Sequence, residues 1–262
     1  MPTSALHVAR TGLEAQDVRM RVIANNLANI GTTGFKRDRA NFATLAYQDA
    51  RVAGQRSSAE TAYATGLNLG TGVSVQSTTS ITTQGTLNTT GNALDLALDG
   101  DGFFQVQLPG GQLGYTRAGN FSRSAEGTLV TAQGYPLQPA ITIPEGASAV
   151  TIGPDGTVSA NVAGNAAPVE LGQITVASFA NPAGMQALGD NYLSETAASG
   201  AAQIGAAGDA GRGSIRQGML ETSNVNVVEE LVDMIEAQRA YEINSKMISA
   251  VDEMLRNANQ TL

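Results

Sequence analysis

Apolar positions recur at helical spacing over the first 30 residues, alternate with hydroxyl residues through the middle of the chain, and return to helical spacing over the last 40. Near the N-terminus Leu6, Ala9, Leu13, Met20, Ile23, Leu27 and Ile30 stand three, four or seven residues apart, the seam of a helix with heptad character. Arg10, Glu14, Asp17, Arg19 and Arg21 occupy the polar side, and Gly31 follows the last periodic residue as a helix stop. The pattern predicts a helix of about 28 residues, roughly 40 Å long at ~1.5 Å per residue. Near the C-terminus Asn226 and Glu229 make a capping box. Val228, Leu231, Val232, Ile235, Ile243, Met247, Ile248, Val251 and Leu255 then predict a second helix, over about 226–257.

The middle predicts strands. Residues 67–90 alternate apolar and hydroxyl side chains, and short β-prone runs such as FFQVQL, AITIP and ITVASF follow, broken by DG, GG, EG, PDG and NP turns. Their spacing suggests a small antiparallel β domain. Ser194–Arg212 is small and polar and reads as a long loop. Residues 47–66 fit neither period and read as an extended arm, a long irregular run that makes sense if it lies against a neighbouring molecule.

The fold class expected is therefore α+β: long N- and C-terminal helices paired as a coiled coil, with an antiparallel β domain inserted between them. Each helix has an apolar face it cannot bury alone. Residues 1–39 carry net charge +3 and residues 221–262 net charge −5, which favours pairing the two ends over pairing either with itself. Two helices still leave one outer stripe uncovered, which other copies of the chain would supply.

Composition narrows the function. The 262 residues include 30 glycines, no Cys, no Trp and one His, His7. Lack of Cys removes disulfides, thiolate metal sites and cysteine nucleophiles together. Net charge of −8, with only Lys36 and Lys246 as lysines, argues against nucleic acid. No cleaved secretory signal and no membrane-spanning run is visible. A Ser–His–Asp site would need His7 with a nucleophile elbow, and no G-x-S-x-G exists. Neither lysine follows a glycine as a phosphate loop requires. Asp95–Gly102 lacks the acidic spacing of an EF-hand and reads as strand-connecting turns. No catalytic, cofactor or metal site is expected.

The segment ANNLANIGTTGFKR, residues 24–37, resembles the N-terminal signature of the bacterial flagellar rod and hook proteins, and ETSNVNVVEELVDMIEAQRAYEINSKMISAVDEML, residues 221–255, is similar to the matching C-terminal end. GFFQV at 102–106 and GTGV at 70–73 add to the likeness. The resemblance implies no enzymatic activity. It implies a homo-oligomeric helical tube in the flagellar basal body, across the periplasm, exported without a cleaved signal peptide. Its partners would be proximal rod proteins, the hook protein and the surrounding ring proteins. Length and the 47–66 arm favour the distal rod subunits, with other rod or hook subunits as alternatives. The division implied is a terminal-helix domain (1–30 with 226–262), a connecting domain (31–90 with 212–225) carrying the arm, and an outer β domain (91–211). Outside the family, the rival reading is a monomeric secreted β-rich adhesin or binding module.

Candidate assembly residues follow. On the first helix they are Leu13, Met20, Ile23, Leu27 and Ile30, with Asn25, Asn26 and Asn29 expected to set register by bonding to other helices or to the following turn, the alternative being that they face solvent or cap the helix end. In the turn they are Phe35, Lys36 and Arg37; the basic residues either meet acidic groups of a neighbour or stay solvated. On the last helix they are Leu231, Ile235, Tyr241, Ile248 and Leu255.

Overall fold

A computed structural model describes residues 2–56, 62–162 and 167–260. The chain is α+β, with a helix at each end and a β-rich middle. It forms two compact units. One holds the terminal helices and residues 38–79; the other holds residues 28–37 and 80–226.

In the first unit α1 (Pro2–Ala28) runs 27 residues and α2 (Val227–Gln260) runs 34. Helix α2 begins directly after Asn226, where the capping-box pattern places its start, and Glu229 and Glu230 stand in its first turn, where the helix N-terminus favours negative charge. Strands β1 (Asp38–Thr44), β2 (Tyr47–Arg51), β3 (Leu67–Gly70) and β4 (Val73–Ser80) form two ladders, β1 with β4 and β2 with β3.

The arm expected over 47–66 is thus built differently from a structureless run. Its start pairs antiparallel with Leu67–Gly70, Arg56 bridges Ala62, and the Arg51 guanidinium lies over the Tyr63 ring at 4.1 Å. Residues 57–61 lie outside the described residues. Periodicity marked β3 but missed β2, whose residues are exposed on both faces, so no alternation marks it.

The second unit is built of β5 (Leu87–Thr89), β6 (Leu96–Asp99), β7 (Phe103–Gln107), β8 (Leu113–Thr116), β9 (Ser122–Arg123), β10 (Leu129–Val130), β11 (Leu137–Gln138) and β12 (Ala147–Ile152). It continues with β13 (Thr157–Val162), β14 (Val169–Gln173), β15 (Thr175–Ser178), β16 (Gln186–Gly189), β17 (Tyr192–Ser194), β18 (Gln203–Ala206), β19 (Ser214–Gln217) and β20 (Met219–Glu221). The main sheet has the order β16-β17-β8-β7-β15-β18, with β11 also on β7, and β12-β13-β14 form a second sheet. Leu96, Leu98, Phe104, Leu137, Val158, Ile174 and Ile215 are buried in one core, where Phe104 meets Phe121 edge to face at 5.2 Å.

Segment 194–212 is not the loop its composition suggests. It contains β18, which pairs with β15. Backbone bonds hold this edge strand, and Ile204 on it is half exposed, so it carries no apolar pattern to read. The DGDG run is the tight connection between β6 and β7; Gly102, at φ 134°, packs against Val176, where a side chain has no room.

Two late strands close on early ones. β19 pairs with β6 and β20 with β5, all antiparallel. The segment that leads into α2 is therefore stitched to the first strands of its unit, which sets the stage for the contacts below.

Candidate assembly surface

Within the first unit, side chains of α1 and α2 meet along an antiparallel line. The place a Cβ would occupy on Gly12 is 3.1 Å from the Asn244 amide nitrogen. Arg19 donates to Asp233 at 3.0 Å and lies 3.6 Å from Glu236. The Asn26 amide donates to Glu230 at 3.3 Å. Asn26 also donates to the Asp38 carbonyl and accepts from the Asp38 N–H, both at 2.9 Å, which ties the end of α1 to the start of β1.

The buried side chains of the two helices are mostly small or polar, with Ile23 and Val251 the exceptions. Glu230 and Ala237 are 0 % exposed and Asn26 is 1 % exposed; Ala9, Ala15, Ile23 and Val251 complete the buried set. The large apolar residues of α2 point elsewhere. Val228 is 70 % exposed, and Leu231, Val232, Ile235, Ile243 and Met247 are exposed with it. At roughly 100° per residue, Val228, Val232 and Ile235 lie about 140–200° round the helix from Glu230, on the far side from the seam.

A second constellation lies wholly in the β unit. Glu221, at the end of β20, is buried and accepts from Lys36 Nζ at 2.6 Å, from the Gly85 N–H at 2.8 Å and from Arg117 Nε at 3.0 Å. Its own carbonyl accepts from the Gly34 N–H at 2.8 Å. Arg117 Nη1 donates to the Gly100 and Gly102 carbonyls, and Lys36 Nζ also donates to that of Thr83. Asn224 adds a parallel clamp: it accepts from the Arg37 N–H and donates to the carbonyls of Ile81 and Thr83. Burial pushes the Lys36 ammonium below its ordinary pKa, and Arg117 adds to that; the Glu221 carboxylate pulls the other way without reversing it.

The candidate residues therefore divide. Leu231, Ile235 and Tyr241 are exposed on α2, and Asn25 is exposed on α1. Leu13, Met20, Leu27, Asn29, Ile30, Phe35, Arg37, Ile248 and Leu255 are half-buried. Ile23 and Asn26 are buried within the chain. The solvated reading of Lys36 is corrected: its ammonium is buried and paired inside its own chain with Glu221. Of the two glycines expected to serve the turn after α1, one has the left-handed conformation. Gly34, at φ 67°, takes the left-handed conformation, whereas Gly31 does not. Glu221, Arg117 and Glu230 were not singled out in the sequence, where no local pattern marks a buried carboxylate whose partners are far along the chain.

Large apolar residues set outward along a long helix, on a chain closed by buried polar clamps, define a structural protein that works through contact surfaces. Residues 6–36 match the family model "Flagella basal body rod protein", residues 97–160 match "Flagellar hook protein FlgE/F/G D1 domain", and residues 216–261 match "Flagellar basal body rod FlgEFG protein C-terminal". Lys36, Arg117 and Glu221 come from these three segments, one from each. The chain is 50% identical to flagellar basal-body rod protein FlgG of Buchnera aphidicola subsp. Acyrthosiphon pisum, over 98% of each chain. It is 47% identical to FlgG of Caulobacter vibrioides, again over 98% of each, and 33% identical to FlgF of the same organism, over 99% of this chain and 98% of the relative. The chain belongs to the flagellar hook and basal-body rod protein family, which is structural and not enzymatic, and within it is most like the FlgG members. Membership sets aside the free-standing adhesin reading. Among the described residues no helix is long and apolar enough to cross a membrane.

Proposed function

We propose that this chain is a structural subunit of the flagellar basal body that polymerises into the hollow distal rod, the shaft that transmits torque and encloses the export channel. Helices α1 and α2 pair as an antiparallel coiled coil, and copies of that pair form the inner wall. Residues 31–90 with 212–225 connect it to an outer β domain, residues 91–211, which holds ten acidic residues against Arg117 and Arg123. Proximal rod proteins, the hook protein and the ring proteins are its neighbours along and around the shaft.

The observation that carries this reading is the inverted use of α2. Its own chain covers Glu230 and Ala237 completely, yet leaves Val228, Val232, Ile235 and Ile243 at least half exposed. A helix that buries a glutamate and an alanine and leaves its large apolar residues exposed in one copy is built for further copies to cover. Residues such as Leu231 and Ile235 then act between subunits, while Asn26 and Ile23 act within one.

Electron microscopy of concentrated full-length protein tests the reading. Tubes are expected from the native chain, and their loss is expected in Leu231→Asp/Ile235→Asp with the circular dichroism of the monomer unchanged. Tubes formed equally well by that variant, or by a chain ending at Asn226, contradict it.

A further inference from the structure

We propose that the Asn26–Glu230 contact is a register lock. It holds α1 and α2 at one axial setting and so fixes the height at which the outer apolar stripe of α2 meets the next copy. The second half of this statement rests on the rod reading above; the first half does not.

The seam has one continuous register. From Gly12 to Asn26 on α1 and from Asn244 to Glu230 on α2 the separation is the same fourteen residues, taken in opposite senses. Between these ends the buried positions are Ala15 and Ile23 on α1 and Ala237 on α2, so two of the three are small. Small side chains let helices approach closely but make shallow knobs, which resist a slide of one turn, about 5.4 Å, only weakly. The ion pair of Arg19 is one-third exposed and bridges two acceptors a helical step apart, Asp233 and Glu236, so it tolerates displacement.

Asn26 and Glu230 do not tolerate it. Asn26 is pinned by both its amide oxygen and its amide nitrogen to the backbone of Asp38, so it cannot follow a moving α2. Glu230 is fully buried. A one-turn slide carries its carboxylate away from the Asn26 amide toward the level of Val22 or Ile30 and brings Asn226 or Met234 opposite Asn26. A buried carboxylate moved from an amide donor to an aliphatic neighbour loses a charge-assisted hydrogen bond and keeps its desolvation cost. A single buried polar pair in a stretch whose other buried residues are apolar is the arrangement that specifies register at some expense of stability.

The absence of cysteine in the native chain allows a direct test. In the full-length protein at low concentration, Gly12→Cys is combined with Asn244→Cys, or one turn off register with Ala240→Cys or Ile248→Cys, and the rate of intramolecular disulfide formation is followed by non-reducing electrophoresis. The in-register pair should close faster by ~10-fold or more, the selectivity that leaving one buried polar group unsatisfied enforces. In the Asn26→Leu/Glu230→Leu background the helices should remain, by far-UV circular dichroism, while that preference falls to about twofold or less. If the leucine pair fails to fold, Asn26→Asp, which keeps the shape and sets a second carboxylate against Glu230, should lower the preference in its place.

A preference unchanged in the folded leucine variant overturns the lock, and so does failure of Gly12→Cys and Asn244→Cys to close at all. For the second half, tubes of the leucine variant should vary in pitch or diameter, and a lattice identical to the native one overturns it. Failure of the native chain to form any tube would sink the rod reading while the cross-linking rates still decide the lock.

Discussion

Lys36 and Glu221, 185 residues apart, share an ion pair at 2.6 Å with the lysine side chain 9 % and the glutamate side chain 0 % exposed. The pair joins the turn that follows α1 to the last strand before α2. With Arg117 and the Gly85 N–H on the same carboxylate, three separate stretches of chain converge on one residue of a fourth. The two ends of the β unit are thus closed by charge and hydrogen bonds rather than by apolar packing, at the place where the chain enters and leaves it.

Removing Glu221 therefore strands two buried cations and a backbone donor. Glu221→Ala should lower the stability of the β unit by roughly 3–5 kcal/mol, the range for breaking a buried pair from one side. Urea denaturation followed by far-UV circular dichroism reads this as a lower midpoint. A loss under ~1 kcal/mol would mean that water reaches Lys36 and Arg117 once the carboxylate is gone.

The same cluster gives a signed pH dependence. Burial lowers the Lys36 pKa in the folded chain below 10.5. Between the folded value and 10.5 the unfolded chain binds more protons at this site, so stability rises with pH across that window. Below it the cost of burying the ammonium is present in full. The stability of the native chain relative to Lys36→Met should therefore be level at neutral pH and increase as pH climbs toward 10.5. A difference that falls over the same range contradicts the assignment.

Much of the α framework is legible in the sequence. Helical spacing, the stop near Gly31 and the Asn226 start signal locate both terminal helices within a few residues of where they stand. Most strands are marked by alternation and by glycine turns. Which side of each helix faces its partner is not legible. Heptad counting selects the largest apolar residues, and here Gly12 lies against Asn244 and the small Ala15 and Ala237 are buried, while Val228 and Ile235 are exposed. A single sequence does not say whether a stripe is covered by its own chain or by another copy. Glu221 is invisible for a different reason: its partners lie on distant segments, and no local pattern announces a carboxylate buried by tertiary structure.

Gly34 offers a test of the turn that follows α1. Its φ is 67°, and a Cβ added there would lie 2.6 Å from the carbonyl carbon of Arg117. Gly34→Ala therefore meets two costs, a left-handed conformation and a collision with backbone that also carries a Glu221 ligand. The expected loss is roughly 2 kcal/mol or more, read as a lower thermal midpoint. Gly31 has open space around it, so Gly31→Ala should change the midpoint little. Equal effects from the two variants would contradict this placing of the turn.

Arg19 marks the opposite limit for a charged contact. Its bond to Asp233 spans the two helices, as does the Asn26–Glu230 contact, but both side chains are about one-third exposed and Glu236 offers a second acceptor. Solvent screens such a pair, and ordering two long side chains offsets part of what remains. Arg19→Ala should cost less than ~1 kcal/mol at low salt, and the difference should vanish near 1 M NaCl, where the screening length shrinks to about 3 Å. Glu221→Ala should keep nearly its whole effect at the same salt, because ions do not reach a side chain with no exposed surface. A salt-insensitive loss of ~2 kcal/mol at Arg19 would place this contact among the interactions that hold the seam in register, and would move that role away from Asn26.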